Sequence, residues 1–106
     1  MSYQDTELCS LAHQQVLREF ENVPDPVEER IRNAVKSAAR KGHPTDHPKI
    51  RQLGGQHEQY FRLREGEWRA FLDKRGGHLR VLLVEQRKNA YREDNLTKVR
   101  MRSRQR

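Results

Sequence analysis

The stretch Tyr60-Phe61-Arg62-Leu63-Arg64-Glu65-Gly66-Glu67-Trp68-Arg69-Ala70-Phe71-Leu72-Asp73 decides the fold. Its side chains alternate. Phe61 and Leu63 fall on one face of an extended segment, and Tyr60, Arg62 and Arg64 on the other. Glu65-Gly66 reads as a tight hairpin turn. Trp68, Ala70 and Leu72 then alternate with Arg69, Phe71 and Asp73. Lys74 to Gly77 gives a second turn, with Gly76-Gly77 supplying positive φ. His78 to Val84 is the most apolar segment, and its continuous run of Leu79, Val81, Leu82, Leu83 and Val84 predicts a strand lying centrally in the sheet.

Upstream the period is 3.6. Gln14 to Phe20 reads as a helix with Val16, Leu17 and Phe20 on one face, broken by Val23-Pro24-Asp25-Pro26. Asp25 as N-cap, Pro26 at N1 and Glu28 at N3 predict a capping box. Val27, Ile31, Ala34, Val35 and Ala38 follow at helical spacing, and the helix should stop near Arg40-Lys41 with Gly42 as C′. Gly42 to Lys49 is a proline-bearing loop. The expected fold is therefore α+β: an N-terminal helical hairpin packed on one face of a small antiparallel sheet of three to four strands.

The ends are less regular. Leu8, Cys9 and Leu11 suit either a short strand or the approach to a helix. Thr97 to Arg106 holds Lys98, Arg100, Arg102, Arg104 and Arg106 and no acid. Strand or helix through about Met101 with a basic arm beyond is expected, so 1–96 form one domain and 97–106 a basic C-terminal arm.

With 106 residues, 33% hydrophobic and 35% charged, the chain makes one domain with a small core. No stretch approaches the ~20 apolar residues of a membrane span. Met1 to Ser10 carries Asp5 and Glu7 and no apolar segment of the secretory kind, so a cytoplasmic protein without membrane partners is expected. One cysteine, Cys9, forms neither an internal disulfide nor a multi-cysteine zinc site. His43, Asp46 and His47 lie in a loop, not on a helix face, and no metal or other cofactor is expected.

The charge is uneven. Residues 1–50 hold 7 basic and 8 acidic side chains; residues 51–106 hold 15 and 7. This basic half suits a polyanion, most simply nucleic acid, or else a solvated surface with a basic tail. Of its 15 cations 12 are arginines, whose planar fork matches phosphate. Arg62 and Arg64 share a face, Arg69 should approach Arg64 across the hairpin, and Arg87 follows the central strand. Such guanidinium groups repel one another unless an anion lies between them. The opposing possibility is that each pairs with a local carboxylate among Glu58, Glu65, Glu67, Asp73 and Glu85.

Three runs carry a resemblance: Ile50-Arg51-Gln52-Leu53-Gly54-Gly55, then Tyr60 to Arg69, then Val81-Leu82-Leu83-Val84-Glu85-Gln86-Arg87-Lys88-Asn89-Ala90-Tyr91. In order and spacing they resemble the RelE/ParE toxin superfamily, with its leucine-glycine pair, its "YRLRxGxWR" strand pair and its apolar strand ending in "HRxxxY". The match covers residues 50–91, and the helical hairpin upstream agrees in length and position.

The resemblance implies the toxin of a type II toxin–antitoxin pair, a ribosome-dependent endoribonuclease cutting mRNA in the ribosomal A site. The ribose 2′-OH would attack the adjacent phosphate without a metal, giving a 2′,3′-cyclic phosphate and a 5′-OH. Arg62, Arg69 and Arg87 are the residues implied to stabilise the transition state. Tyr91 is implied to stack on a base, orient the 2′-OH or shuttle a proton, or else simply packs beside the sheet. Arg64, Lys88, Arg92, Lys98 and Arg100 would contact RNA, with mRNA, ribosomal RNA and a cognate antitoxin as partners. The chain departs from the pattern at Tyr60, where some relatives carry a second lysine, and at Gln86, where many carry histidine and where an amide cannot act as an acid. His47 is the substitute for acid–base work, or else an exposed loop histidine. Two alternatives remain: a ParE-like toxin acting on gyrase, and a noncatalytic basic RNA- or ribosome-binding protein.

Overall fold

The computed structural model describes residues 9–105. The hairpins implied by the alternation are present: β3 (Tyr60–Glu65), β4 (Trp68–Arg75) and β5 (His78–Gln86) form an antiparallel meander. β2 (Ile50–Gln52) pairs antiparallel with β3. β1 (Cys9–Ala12) joins β5 in parallel, giving a five-stranded sheet of order β1-β5-β4-β3-β2. The four antiparallel strands match the expected sheet, and the parallel edge strand is added to it. Leu8 lies outside the described residues. Glu65 pairs with Trp68, so the first turn is Gly66-Glu67. Gly66 takes φ +59 at the first turn position, which only glycine adopts cheaply in a two-residue hairpin loop.

The helical hairpin consists of α1 (Gln14–Glu19), continued by a 3-10 turn at Phe20–Asn22, and α2 (Asp25–Lys41). Gly42 closes α2 in the left-handed conformation at φ +81, as its sequence implies. The capping box is not made: Pro24 occupies the N-cap and no side-chain cap bond forms. Glu28 accepts instead from Arg32 at 2.8 Å, one turn on. Val16 and Phe20 are buried, but Leu17 is exposed, because the short α1 turns it away from the sheet. Ile31, Val35 and Ala38 of α2 pack with Phe61, Leu63, Leu72 and Val81 in the larger core.

The helices α1 and α2 cover one face; the other face is covered too, which corrects the two-layer expectation. The short helix α3 (Arg87–Ala90) leads into α4 (Glu93–Arg104). Leu96 and Val99 of α4 and Ala90 of α3 pack with Tyr60, Phe71, Leu82 and Leu83 in a second core. A β-bulge makes this possible. Phe71 pairs with Leu83 and Leu72 with Val81, leaving Leu82 as the extra residue. Leu82 and Leu83 therefore both serve the α4 core, while Val81 and Val84 serve the α2 core.

Residues 97–104, expected as part of a basic arm, are the last two thirds of α4. Glu93 and Asp94 lie in its first turn and Arg102 and Arg104 in its last, matching the helix dipole. Its end is clamped. Arg80 grips Asp73 with two bonds of 2.9 and 2.7 Å and donates to the carbonyls of Ser103 (2.7 Å) and Gln105 (2.6 Å). Arg75 also donates to the Ser103 carbonyl, and the Ser103 hydroxyl donates to Asp73 at 2.6 Å. The Asp73 bond holds Arg80 above its ordinary pKa against the opposing effect of burial, so the guanidinium stays charged. Arg102 is buried, donating to Leu82 O at 2.9 Å and pairing with Glu19 at 2.6 Å. Glu19 in turn accepts from Val84 N at 2.9 Å. Past the end of β1 this pair satisfies backbone groups of β5 that would otherwise be orphaned.

Candidate nucleic-acid site

Strand register builds the site. In β3 and β4, Arg64 stands directly opposite Arg69. In β2 and β3, Arg51 stands opposite Arg62. Directly opposite residues of an antiparallel pair share a face, so four arginines occupy the side of the sheet that also carries Phe71.

Each guanidinium has a distinct setting. Arg69 is 7% exposed; its Nη1 donates to the carbonyls of Gly66 and Trp68, both at 2.8 Å, and so braces its own hairpin turn. Arg87 starts α3, and its backbone N–H donates to Glu67 O at 2.7 Å, tying the end of β5 to that turn. Its side chain meets Glu67 only at 3.9 Å, with both groups well exposed, a contact that water and salt screen. Arg62 Nη1 donates to the Tyr91 hydroxyl at 3.2 Å, while its Nε is buried without a partner. The Tyr91 ring meets Phe71 edge-on at 5.5 Å, so packing on the second core aims the phenol at Arg62.

The charges bear on one another. The Arg69 guanidinium lies below its ordinary pKa, first because of burial, then through the positive charges of Arg62, Arg87 and Arg64, with the Tyr91 phenol opposing. It remains a cation at neutral pH. Two of the carboxylates that could neutralise the group are held elsewhere. Glu65 faces α2 and binds Arg30 at 3.0 Å and Lys49 at 2.9 Å. Asp73 is held by Arg80. Glu85 stands opposite Arg69 in the register but accepts from Gln86 N at 2.8 Å. Among the described residues, none of Arg51, Arg62, Arg64 and Arg69 has a carboxylate within 4.0 Å. The remedy for such repulsion is a bound anion with bidentate oxygens, which is what a phosphodiester offers.

The other candidates divide. Lys88 is exposed on α3 beside Arg87, and Arg92 follows Tyr91 with a loose contact to Asp94 at 3.8 Å. Lys98 and Arg100 lie on α4. Lys98 lines a groove with Glu19, Glu85 and Asn95, and Arg100 contacts Glu93 at 3.8 Å and Thr97 at 3.2 Å. His47 does not join the arginines. It lines a groove with Arg30, Asn33 and Ala34 of α2 and with Glu65, on the helix side of the sheet. Its Nδ1 accepts from Lys49 N at 3.1 Å, and burial, then Lys41 and Lys49, push its pKa down against the pull of Glu65. Gln86 is exposed at the start of α3 and Trp68 packs on the α2 core. Arg51 escaped the sequence reading because three residues are too few to show alternation.

No protein-family model matches the chain, and no curated protein matches it. Solved structures do. The RelB-RelE antitoxin–toxin complex from Methanococcus jannaschii superposes with a TM-score of 0.64 at 21% identity, over 78% of this chain and 96% of that one. An Escherichia coli RelE toxin mutant in the free state gives 0.67 at 15% identity, over 91% and 97%. The RelBE2 toxin–antitoxin complex from Mycobacterium tuberculosis gives 0.52 at 20%, over 77% and 93%. The chain thus has the RelE toxin fold, spanning nearly the full length of each of these chains.

Proposed function

We propose that this protein is the toxin of a toxin–antitoxin pair and cleaves mRNA on the ribosome. The observation that carries the reading is that Arg62, Arg64 and Arg69 share one sheet face with no carboxylate within 4.0 Å of them among the described residues, and that Tyr91 is bonded to Arg62. In this mechanism the ribose 2′-OH releases its proton to solvent water as its oxygen attacks the adjacent phosphorus, the bond to the leaving 5′-oxygen breaks and that oxygen takes up a proton, and a 2′,3′-cyclic phosphate and a 5′-OH remain. Negative charge grows on the non-bridging oxygens. Fixed guanidinium groups on a partly dehydrated sheet face stabilise it. Tyr91 accepts from Arg62, so its own O–H hydrogen stays available for the leaving 5′-oxygen. The resemblance of the RelB-RelE complexes supports an antitoxin as the protein partner.

The test is induced expression followed by mapping of transcript ends on purified ribosomes. Cleavage leaving a cyclic phosphate, lost on Arg69→Ala, is the expected result. Growth arrest with intact transcripts and inhibited DNA supercoiling would replace this reading with the gyrase-directed one, which the amide at Gln86 favours.

A further inference from the structure

Arg51 is exposed on edge strand β2, directly opposite Arg62, and has no acidic partner among the described residues. Like charges placed opposite one another weaken a strand pair. Here the pair sits on a strand of only three residues, where the loss is least affordable. The Arg62 guanidinium also lacks an acceptor at its buried Nε. The register orders these cations into two rows. One row is Arg64 with Arg69; the other is Arg51 with Arg62. The rows are two residues apart along β3, about 6.8 Å at the usual strand rise. That matches the step between consecutive phosphates of an extended single strand. Arg51 is two strands and one row from Arg69, about 12 Å between backbone positions, and the Arg69 guanidinium is turned onto its own hairpin carbonyls at the other end of the patch.

We propose that Arg51 forms a subsite for a second phosphate of single-stranded RNA, one nucleotide along from the phosphate held at Arg69, with Arg62 standing between the two. This rests on the reading of the Arg69 face as the RNA-cleaving site and adds to it a minimum ligand: two consecutive phosphodiesters. Arg51 is a binding residue and takes no part in bond breaking. The pairing makes the site directional, because the scissile phosphate lies toward β4 and its neighbour toward the β2 edge.

The test compares 2′-O-methyl diadenylate, with one phosphate, and 2′-O-methyl triadenylate, with two, in NMR titrations of the whole protein. The wild type should gain affinity from one phosphate to two, and Arg51→Ala should lose roughly three- to fivefold for the trimer and almost nothing for the dimer. Arg51→Lys should recover part of the loss. The salt dependence of trimer binding should flatten by about 0.7 in log–log slope, the value for one phosphate contact on a single strand. Arg69→Ala should weaken both ligands. Wild-type binding of both with Arg51→Ala indistinguishable overturns the subsite and leaves the cleavage reading standing. Arg51→Ala weakening a short polyglutamate peptide but not the trimer assigns the residue to an acidic protein partner and also overturns it. Absence of any shift at Arg62 and Arg69 with either RNA overturns both readings.

Discussion

Arg62 on β3 and Tyr91 at the end of α3 are joined by one hydrogen bond of 3.2 Å, which links the arginine face to the segment following β5. Phe71 holds the tyrosine ring from below. Tyr91→Phe keeps that edge-on packing and removes only the hydroxyl. If the hydroxyl donates the proton, cleavage on ribosomes should fall roughly 100-fold or more while thermal unfolding stays unchanged. Full activity in Tyr91→Phe would reduce the residue to a stacking role.

Arg69 is fixed by its own turn carbonyls, so the guanidinium plane rather than the charge alone should matter. Arg69→Lys keeps the charge but not the fork. Both Arg69→Ala and Arg69→Lys should lower the cleavage rate by about 100- to 1000-fold, the scale of losing one fixed donor to a developing anion. A lysine variant with wild-type rate would show that positive charge suffices.

Arg102 belongs to the basic run but is a structural residue. Arg102→Ala strands Glu19 and leaves Leu82 O unpaired beside a sheet edge. The expected cost is about 3 kcal/mol, the low end for a broken buried pair because Glu19 keeps some contact with water. Chemical denaturation measures it. Arg104→Ala, on an exposed side chain, should change stability by less than about 0.5 kcal/mol.

His47 gives a pH signature. Its folded pKa is depressed below 6.5 by burial and by Lys41 and Lys49. The neutral ring is therefore favoured in the folded state. Its contribution to stability is complete above the unfolded value and is lost as pH falls through the folded one. The stability difference between wild type and His47→Gln should be flat above pH 7 and shift against the wild type on acidification below about 6.5. The pH profile of cleavage should be unaffected by this substitution, since His47 faces the α2 side. A changed cleavage profile would return His47 to the site.

The meander was legible because its alternation runs unbroken from Tyr60 to Asp73, with glycine at each turn. Arg64 and Arg69 could be placed near each other for the same reason, and the turn one residue later, at Gly66-Glu67, sets them directly opposite. The C-terminal helix was obscured because its buried positions include polar Asn95 and charged Arg102, so no apolar stripe marks it. Val99 and Met101 suggested alternation, yet only Val99 is buried. The pairing of Arg51 with Arg62 needed the register of a three-residue strand, which no periodicity can reveal. His47 was drawn toward the site by chemistry alone; nothing in its loop told which side of the sheet it would face.

The bulge at Leu82 has a consequence for how this chain can change over evolutionary time. It acts as a frame marker between two hydrophobic compartments. Substituting one leucine there costs a cavity, which other side chains can partly fill. Deleting a residue anywhere in β5 except the extra Leu82 would instead reverse the facing of every later position in the strand. It would also carry Arg87 and Tyr91 off the phosphate face. Descendants should therefore tolerate altered side chains along this strand far better than altered length.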